Sequence, residues 1–163
     1  LEKINFNLNG KEVEAFAEPG ETLLDLLNTR LNIRSVKRGC DEGQCGACTV
    51  LLDGNPVLSC LLPFEKANGR NIITLEGLKD DMLMKQLEEE FVKQGAVQCG
   101  YCTTGFLITL YAYFKQHKDE LNEENLKKKV AEALVNNICR CGSYKEIEKA
   151  AVTVFKLELK NRK

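Results

Sequence analysis

The stretch Gly39-Cys40-Asp41-Glu42-Gly43-Gln44-Cys45-Gly46-Ala47-Cys48 decides how this chain is read. It carries three cysteines spaced C-x4-C-x2-C, and Cys60 follows after eleven intervening residues. Thiolates are soft ligands that suit zinc, copper(I) or iron–sulfur clusters. C-x4-C-x2-C…C is the plant-type [2Fe–2S] ligand spacing. Four-cysteine zinc sites more often come as two C-x2-C knuckles. Here Cys45 and Cys48 form one knuckle, but Cys40 and Cys60 form no second. The glycines beside and between the ligands point the same way, because glycine accepts positive φ and lets backbone N–H groups turn toward anionic sulfides.

Working outward, the chain holds eight cysteines and one histidine. The other four are Cys99 and Cys102, spaced C-x2-C, and Cys139 and Cys141, spaced C-x-C. A secreted disulfide scaffold would explain an even count. Against it stand the chain length, an amino end without a signal-peptide layout, and charge-rich helical patterns that can build a core without staples. A thioredoxin-type pair at Cys99/Cys102 leaves Cys139 and Cys141 without a role. Rieske-type ligation needs two histidines, and His117, set among Lys115, Gln116, Lys118 and Asp119, reads as a solvated surface residue.

Composition narrows the partners. At 163 residues and 18.3 kDa, with 44% hydrophobic and 29% charged residues, the chain can bury one ordinary core or two small ones. A net charge of −1 gives no electrostatic reason to expect nucleic acid or an anionic membrane. Gly105 to Phe114 is the longest apolar-rich run, too short for the roughly 20 residues of a bilayer span. The expectation is a cytoplasmic protein without membrane insertion.

Hydrophobic periodicity divides the chain near residue 76. Ile4, Phe6 and Leu8 alternate with polar residues as a strand, Asn9-Gly10 signals a hairpin, and Glu12 to Phe16 returns. Thr22 caps a helix with Leu23, Leu26, Leu27 and Leu31 on one face. Beyond the cysteine loop, Thr49 to Leu52 reads as a strand, Asp53-Gly54-Asn55 as a turn, Val57 to Leu61 as its partner, and Asn71 to Leu75 as a last strand. From Gly77 the period becomes helical. Met82 to Phe91 marks one helix; Phe106, Leu110 and Phe114 a second; Leu126, Val130 and Leu134 a third, started by Asn122; and Ser143 with Glu146 forms a capping box that opens a fourth. Lys156 to Lys163 reads as a frayed basic tail. The expected architecture is α+β: a β-grasp ferredoxin-like domain over 1–76, then a four-helix bundle over 77–163. Cys99 and Cys102 open the second helix and Cys139 and Cys141 lie between the third and fourth. Helix N-termini there would favour an anionic thiolate-bound cluster.

Three motifs together resemble the iron–sulfur subunit of the molybdenum hydroxylases, the family that includes xanthine dehydrogenase and aldehyde oxidoreductases. They are Gly39 to Val50, then Gln98-Cys99-Gly100-Tyr101-Cys102-Thr103-Thr104-Gly105, then Asn137-Ile138-Cys139-Arg140-Cys141. The resemblance runs from about Lys3 to Leu157. It implies two [2Fe–2S] clusters, with Cys40, Cys45, Cys48 and Cys60 holding the one nearer FAD. Cys99, Cys102, Cys139 and Cys141 would hold the one nearer a molybdopterin. Gln98 matches a pterin-contacting position, and Cys141 looks like the ligand closest to the pterin. Thr104 departs from the proline of many relatives, and Gly142-Ser143 from their threonine-glycine.

The function implied is that of an oxidoreductase subunit relaying electrons. Molybdopterin would sit on a large subunit and FAD on a medium subunit, since the chain has no room for either domain. Selectivity would then lie on the large subunit and the substrate stays open, an aldehyde being preferred. The alternative is a zinc-stabilised structural or adaptor subunit using the same cysteines. Colour, iron and sulfide separate the two.

Overall fold

Why the amino-terminal half folds as it does begins at Asn9-Gly10. The computed structural model, which describes residues 1–162, places both in the left-handed region, at φ 53° and 83°. Two positive-φ residues make the tight turn whose twist matches that of paired strands. Strand β1 (Glu2–Leu8) therefore pairs antiparallel with β2 (Lys11–Ala17), Leu8 facing Lys11. Strands β3 (Thr49–Leu52), β4 (Asn55–Leu58) and β5 (Asn71–Ile73) complete a sheet of order β2-β1-β5-β3-β4 among the described residues, with β1 and β5 parallel. The Asn9 side chain ties this turn to the end of the neighbouring β5, donating to Thr74 Oγ at 2.9 Å and accepting from Thr74 N at 2.8 Å.

The returning strand is shorter than the sequence indicates. Asp53 and Gly54 make a two-residue turn that sets Leu52 against Asn55, so β3 is used up when Thr49 meets Leu58. Val57 to Leu61 is thus not one strand: Ser59–Leu61 turns as a 3-10 helix and carries Cys60 back toward the cysteine loop. Pro56 is tolerated because β4 lies at the sheet edge. Likewise β5 stops at Ile73, and Leu75–Leu78 is a 3-10 turn.

Helix α1 (Leu23–Asp25) opens at the Thr22 cap, which the structure completes as a capping box: Thr22 Oγ accepts from Asp25 N while Asp25 Oδ2 accepts from Thr22 N. It widens at once into a π-helix, Leu26–Arg30. Leu23, Leu24, Leu26 and Leu27 all bury with Ile4, Phe6, Val50 and Leu52 in the first core.

The second core lies among α2 (Met82–Lys93), α3 (Thr103–His117), α4 (Leu126–Ala133) and α5 (Tyr144–Lys160). Helix α3 is apolar on nearly all sides because it is central, buried from Thr104 through Ile108 and again at Leu110, Ala112 and Phe114. That placement accounts for the Gly105–Phe114 run; among the described residues no helix is long and apolar enough to cross a membrane. Helix α3 also packs on β3 and β4. Alternation along β3 divides its side chains, with Val50 and Leu52 in the first core and Leu51 in the second.

Three further expectations fail here. The third helix starts not at Asn122 but at Leu126, with Asn125 as its N-cap, because the Asn122 side chain closes the turn before it by accepting from Glu124 N and Asn125 N. Lys156 to Lys160 is the last stretch of α5 rather than a frayed tail, because Phe155 buries beside it and Arg162 pairs with Asp119 at 2.6 Å; Lys163 lies outside the described residues. Ser143 makes no capping box, since its side chain is engaged elsewhere.

Candidate metal centres

The eight cysteines are all free thiols and gather into the two quartets read from the sequence, neither of them mixed. In the first, Cys40, Cys45 and Cys48 lie on the loop before β3, and the 3-10 turn after β4 supplies Cys60. Asp41, Gly43 and Gly46 have φ of 57°, 73° and 71°. The loop folds around sulfur, with the N–H groups of Glu42, Gln44 and Cys45 donating to Cys40 Sγ at 3.4, 3.3 and 3.4 Å. These donors, Glu42 foremost, draw the Cys40 thiol down to about 7, while burial pushes Cys60 up to about 11. Gly39 is required by space: a Cβ there would stand 2.5 Å from Cys45 Sγ. Ser59 Oγ donates to Cys48 O at 2.7 Å, tying the Cys60 turn to the loop.

The second quartet sits where α3 and α5 begin. Cys102 is the N-cap of α3 and half-buried, Cys139 is buried, and Cys99 and Cys141 are exposed. Ser143 N donates to Cys139 Sγ at 3.4 Å, and Cys139 N donates to the Tyr144 hydroxyl at 2.8 Å. Burial pushes Cys102 up to about 12. For Cys139 burial acts in the same sense, but the N–H of Ser143 and its neighbours outweigh it and hold the thiol below its ordinary value.

Among the described residues, no three His, Cys, Asp or Glu side chains gather tightly enough to hold a single ion. Within each quartet the sulfurs stand as neighbouring pairs: Cys40 with Cys45, Cys48 with Cys60, Cys99 with Cys141, Cys102 with Cys139. Such pairing fits two irons bridged by sulfide, each taking two thiolates. Inward N–H donors fit an anionic group and would tune its potential.

The quartets face one another. Ile138 N donates to Cys45 O at 3.0 Å, and an open cavity of about 390 Å³ has Cys45 and Ala47 on one side and Cys99, Cys102 and Ile138 on the other. Across its mouth the Tyr101 hydroxyl donates to Arg38 O at 2.6 Å. Gln98 is exposed beside Cys99 and its Nε2 donates to Ser143 Oγ at 2.9 Å and, at 3.5 Å, to Cys141 O. His117 stays at the periphery, against the Tyr113 ring. Ile138, Ser143 and Tyr144 escaped the sequence reading as contributors to the sites. Their position within three residues of Cys139 or Cys141 was the available signal.

Comparison with known proteins agrees with this geometry. Residues 6–76 match the family described as a 2Fe-2S iron-sulfur cluster binding domain, and residues 74–152 the [2Fe-2S] binding domain. The chain is 43% identical over 147 residues to the nicotinate dehydrogenase small FeS subunit of Eubacterium barkeri, covering 90% of each. Its structure resembles quinoline 2-oxidoreductase from Pseudomonas putida 86, with TM-score 0.84 and 34% identity, over 99% of this chain and 96% of that one. It also resembles the aldehyde oxidoreductase of Desulfovibrio desulfuricans, with TM-score 0.83 and 32% identity, where all of this chain matches 18% of a much longer one. These matches do not favour the zinc reading. With two [2Fe–2S]-binding domains matched over residues 6–152 and relatives that are small FeS subunits, the chain belongs to the iron–sulfur subunits of the molybdenum hydroxylases, the electron-transfer members of multi-subunit oxidoreductases.

Proposed function

We propose that Cys40, Cys45, Cys48 and Cys60 hold one [2Fe–2S] cluster and Cys99, Cys102, Cys139 and Cys141 a second. The chain then relays electrons from a molybdopterin on a large partner subunit to FAD on a medium one. Bound in these loops, the clusters would supply one-electron carriers, and the chain's residues would set the two sites side by side. The observation that carries this reading is the hydrogen bond from Ile138 N to Cys45 O, 3.0 Å, which joins a residue adjoining the second quartet to a ligand of the first. Around it, Cys99 and Cys141 reach the surface at one quartet and Cys40 is part-exposed at the other, so both quartets are accessible from outside. Gln98, beside Cys99, and Cys141 would meet the pterin. Eight reduced thiols suit the cytoplasm.

The substrate belongs to the large subunit. Nicotinate and quinoline, named for two of the relatives, are nitrogen heteroaromatics, and this class is the reading we favour for the complex. The aldehyde preferred from sequence keeps a counterpart in the aldehyde oxidoreductase. Purifying the chain with its natural partners tests the whole reading. Molybdenum, FAD and two co-eluting subunits are expected, with both cluster signals bleaching on addition of nicotinate. Bleaching with benzaldehyde alone would restore the aldehyde, and a complex free of molybdenum would overturn the relay.

A further inference from the structure

Ser143 is the least expected polar residue at the second quartet. It is almost fully buried, at 1% exposure, and it stands at the start of α5 without capping that helix. Its two polar groups face two different functional residues. The main-chain N–H donates to Cys139 Sγ at 3.4 Å, and the hydroxyl oxygen accepts from Gln98 Nε2 at 2.9 Å, across 45 residues of sequence. Gln98 lies on an exposed loop, and Ser143 Oγ is the nearer of the two acceptors that hold its amide. The adjoining Cys141 carbonyl is an acceptor only, at 3.5 Å from the same nitrogen, and it fixes the sense of the amide. The NH2 end must face inward. Gln98 Oε1 accepts no hydrogen bond among the described residues and is left for a donor outside the chain.

We propose that Ser143 is the positioning residue for Gln98. It anchors the amide nitrogen so that Oε1 is presented, already oriented, to an N–H or O–H donor of the group docked against the second quartet. This rests on the reading that Gln98 meets the partner's pterin, and it adds the residue that aims the contact and the polarity of the contact. A side chain held in its bound rotamer loses less conformational freedom on binding than a free one. Ser143 therefore acts on affinity through Gln98 and not on the cluster, whose N–H donor is the backbone and survives any substitution of the hydroxyl.

A double-mutant cycle on the cluster-loaded chain tests this, reading its dissociation constant for the large subunit with pterin bound and with pterin absent. Toward the pterin-loaded partner, Ser143→Ala and Gln98→Ala should each weaken binding about five-fold, as expected for one hydrogen bond. Ser143→Thr, which keeps the hydroxyl, should restore it, and the double variant should bind no worse than Gln98→Ala alone. Toward the pterin-free partner none of them should differ from the unsubstituted chain. The EPR spectrum and midpoint potential of the second cluster should stay unchanged in Ser143→Ala. If Gln98→Ala weakens binding but Ser143→Ala is silent, or if the two losses multiply, the positioning role is wrong and the Gln98 contact stands. If Gln98→Ala itself is silent, the contact fails and the positioning role with it.

Discussion

Gly105 and Gly46 meet backbone to backbone: a Cβ placed on Gly105 would stand 2.2 Å from the Gly46 carbonyl oxygen and 3.0 Å from Ala47 Cα. This is where the central helix α3 presses on the loop that carries Cys45 and Cys48. Gly46 itself is in the left-handed region, and a Cβ there would be 2.5 Å from Asn137 Nδ2. The seam between the sheet and the helices thus closes on two residues that have no side chain to spare.

Gly105→Ala is therefore expected to destabilise the protein although alanine favours a helix by roughly 1 kcal/mol. The obstacle is backbone, which cannot rotate away, and overpacking of this kind costs about 1–3 kcal/mol or more. A lower thermal midpoint of the cluster-loaded chain, with faster loss of visible colour on heating, is the outcome to look for.

Substituting one ligand at a time separates the quartets. Cys40→Ser should remove or distort one EPR signal and leave the other, and Cys141→Ser should do the converse. Loss of both signals from either change would contradict two independent sites.

Removing the metal should loosen both loops. With two clusters the loaded chain should contain about four iron and four sulfide. Chelation and acid treatment should leave a chain whose cysteine loops are open to proteolysis, because binding free energy at such sites is also folding free energy. Most of the helical circular dichroism should remain, because α2 and the body of α5 are held by the second core.

A pH-dependent contact lies at the start of α2. Asp81 caps the helix by accepting from Met84 N at 3.1 Å, and its second oxygen accepts from the Tyr111 hydroxyl of α3 at 3.0 Å. Burial, and then the Asp81 carboxylate, push the Tyr111 hydroxyl up to about 12 from an ordinary value of 10.0. Between those values the unfolded chain gives up the proton and the folded chain keeps it, so this stabilisation is complete below pH 10 and is lost as pH rises toward 12. Tyr111→Phe should cost about 1 kcal/mol at neutral pH. Its midpoint should fall less steeply than that of the unsubstituted chain over the alkaline range. Ultraviolet difference titration should show one fewer late-ionising phenol.

Much of the fold could be read directly. The strand alternation of Ile4, Phe6 and Leu8, the Asn9-Gly10 turn and the Thr22 helix cap depend on neighbours in sequence, and all stand where local chemistry puts them. The apolar run of α3 was visible, but its central position was not, since an all-round apolar pattern says only that a helix is buried. The Val57–Leu61 strand went too far because its end is set by the length of β3, a partner across the turn. The Lys156–Lys160 segment looked frayed from its charge and is helical because Phe155 and Arg162 tie it down from other elements.

The cysteine spacing by itself set Cys40, Cys45 and Cys48 on one short loop and kept Cys99 near Cys102 and Cys139 near Cys141, because side chains a few residues apart have few ways to separate. What only the tertiary structure decided is how the quartets face each other and what the residues between them do. Ile138 reaches Cys45, and Ser143 reaches Gln98 instead of capping its own helix. Both contacts join segments dozens of residues apart, and hydrogen bonds between such segments depend on how two packed cores set their loops side by side, which no local pattern encodes.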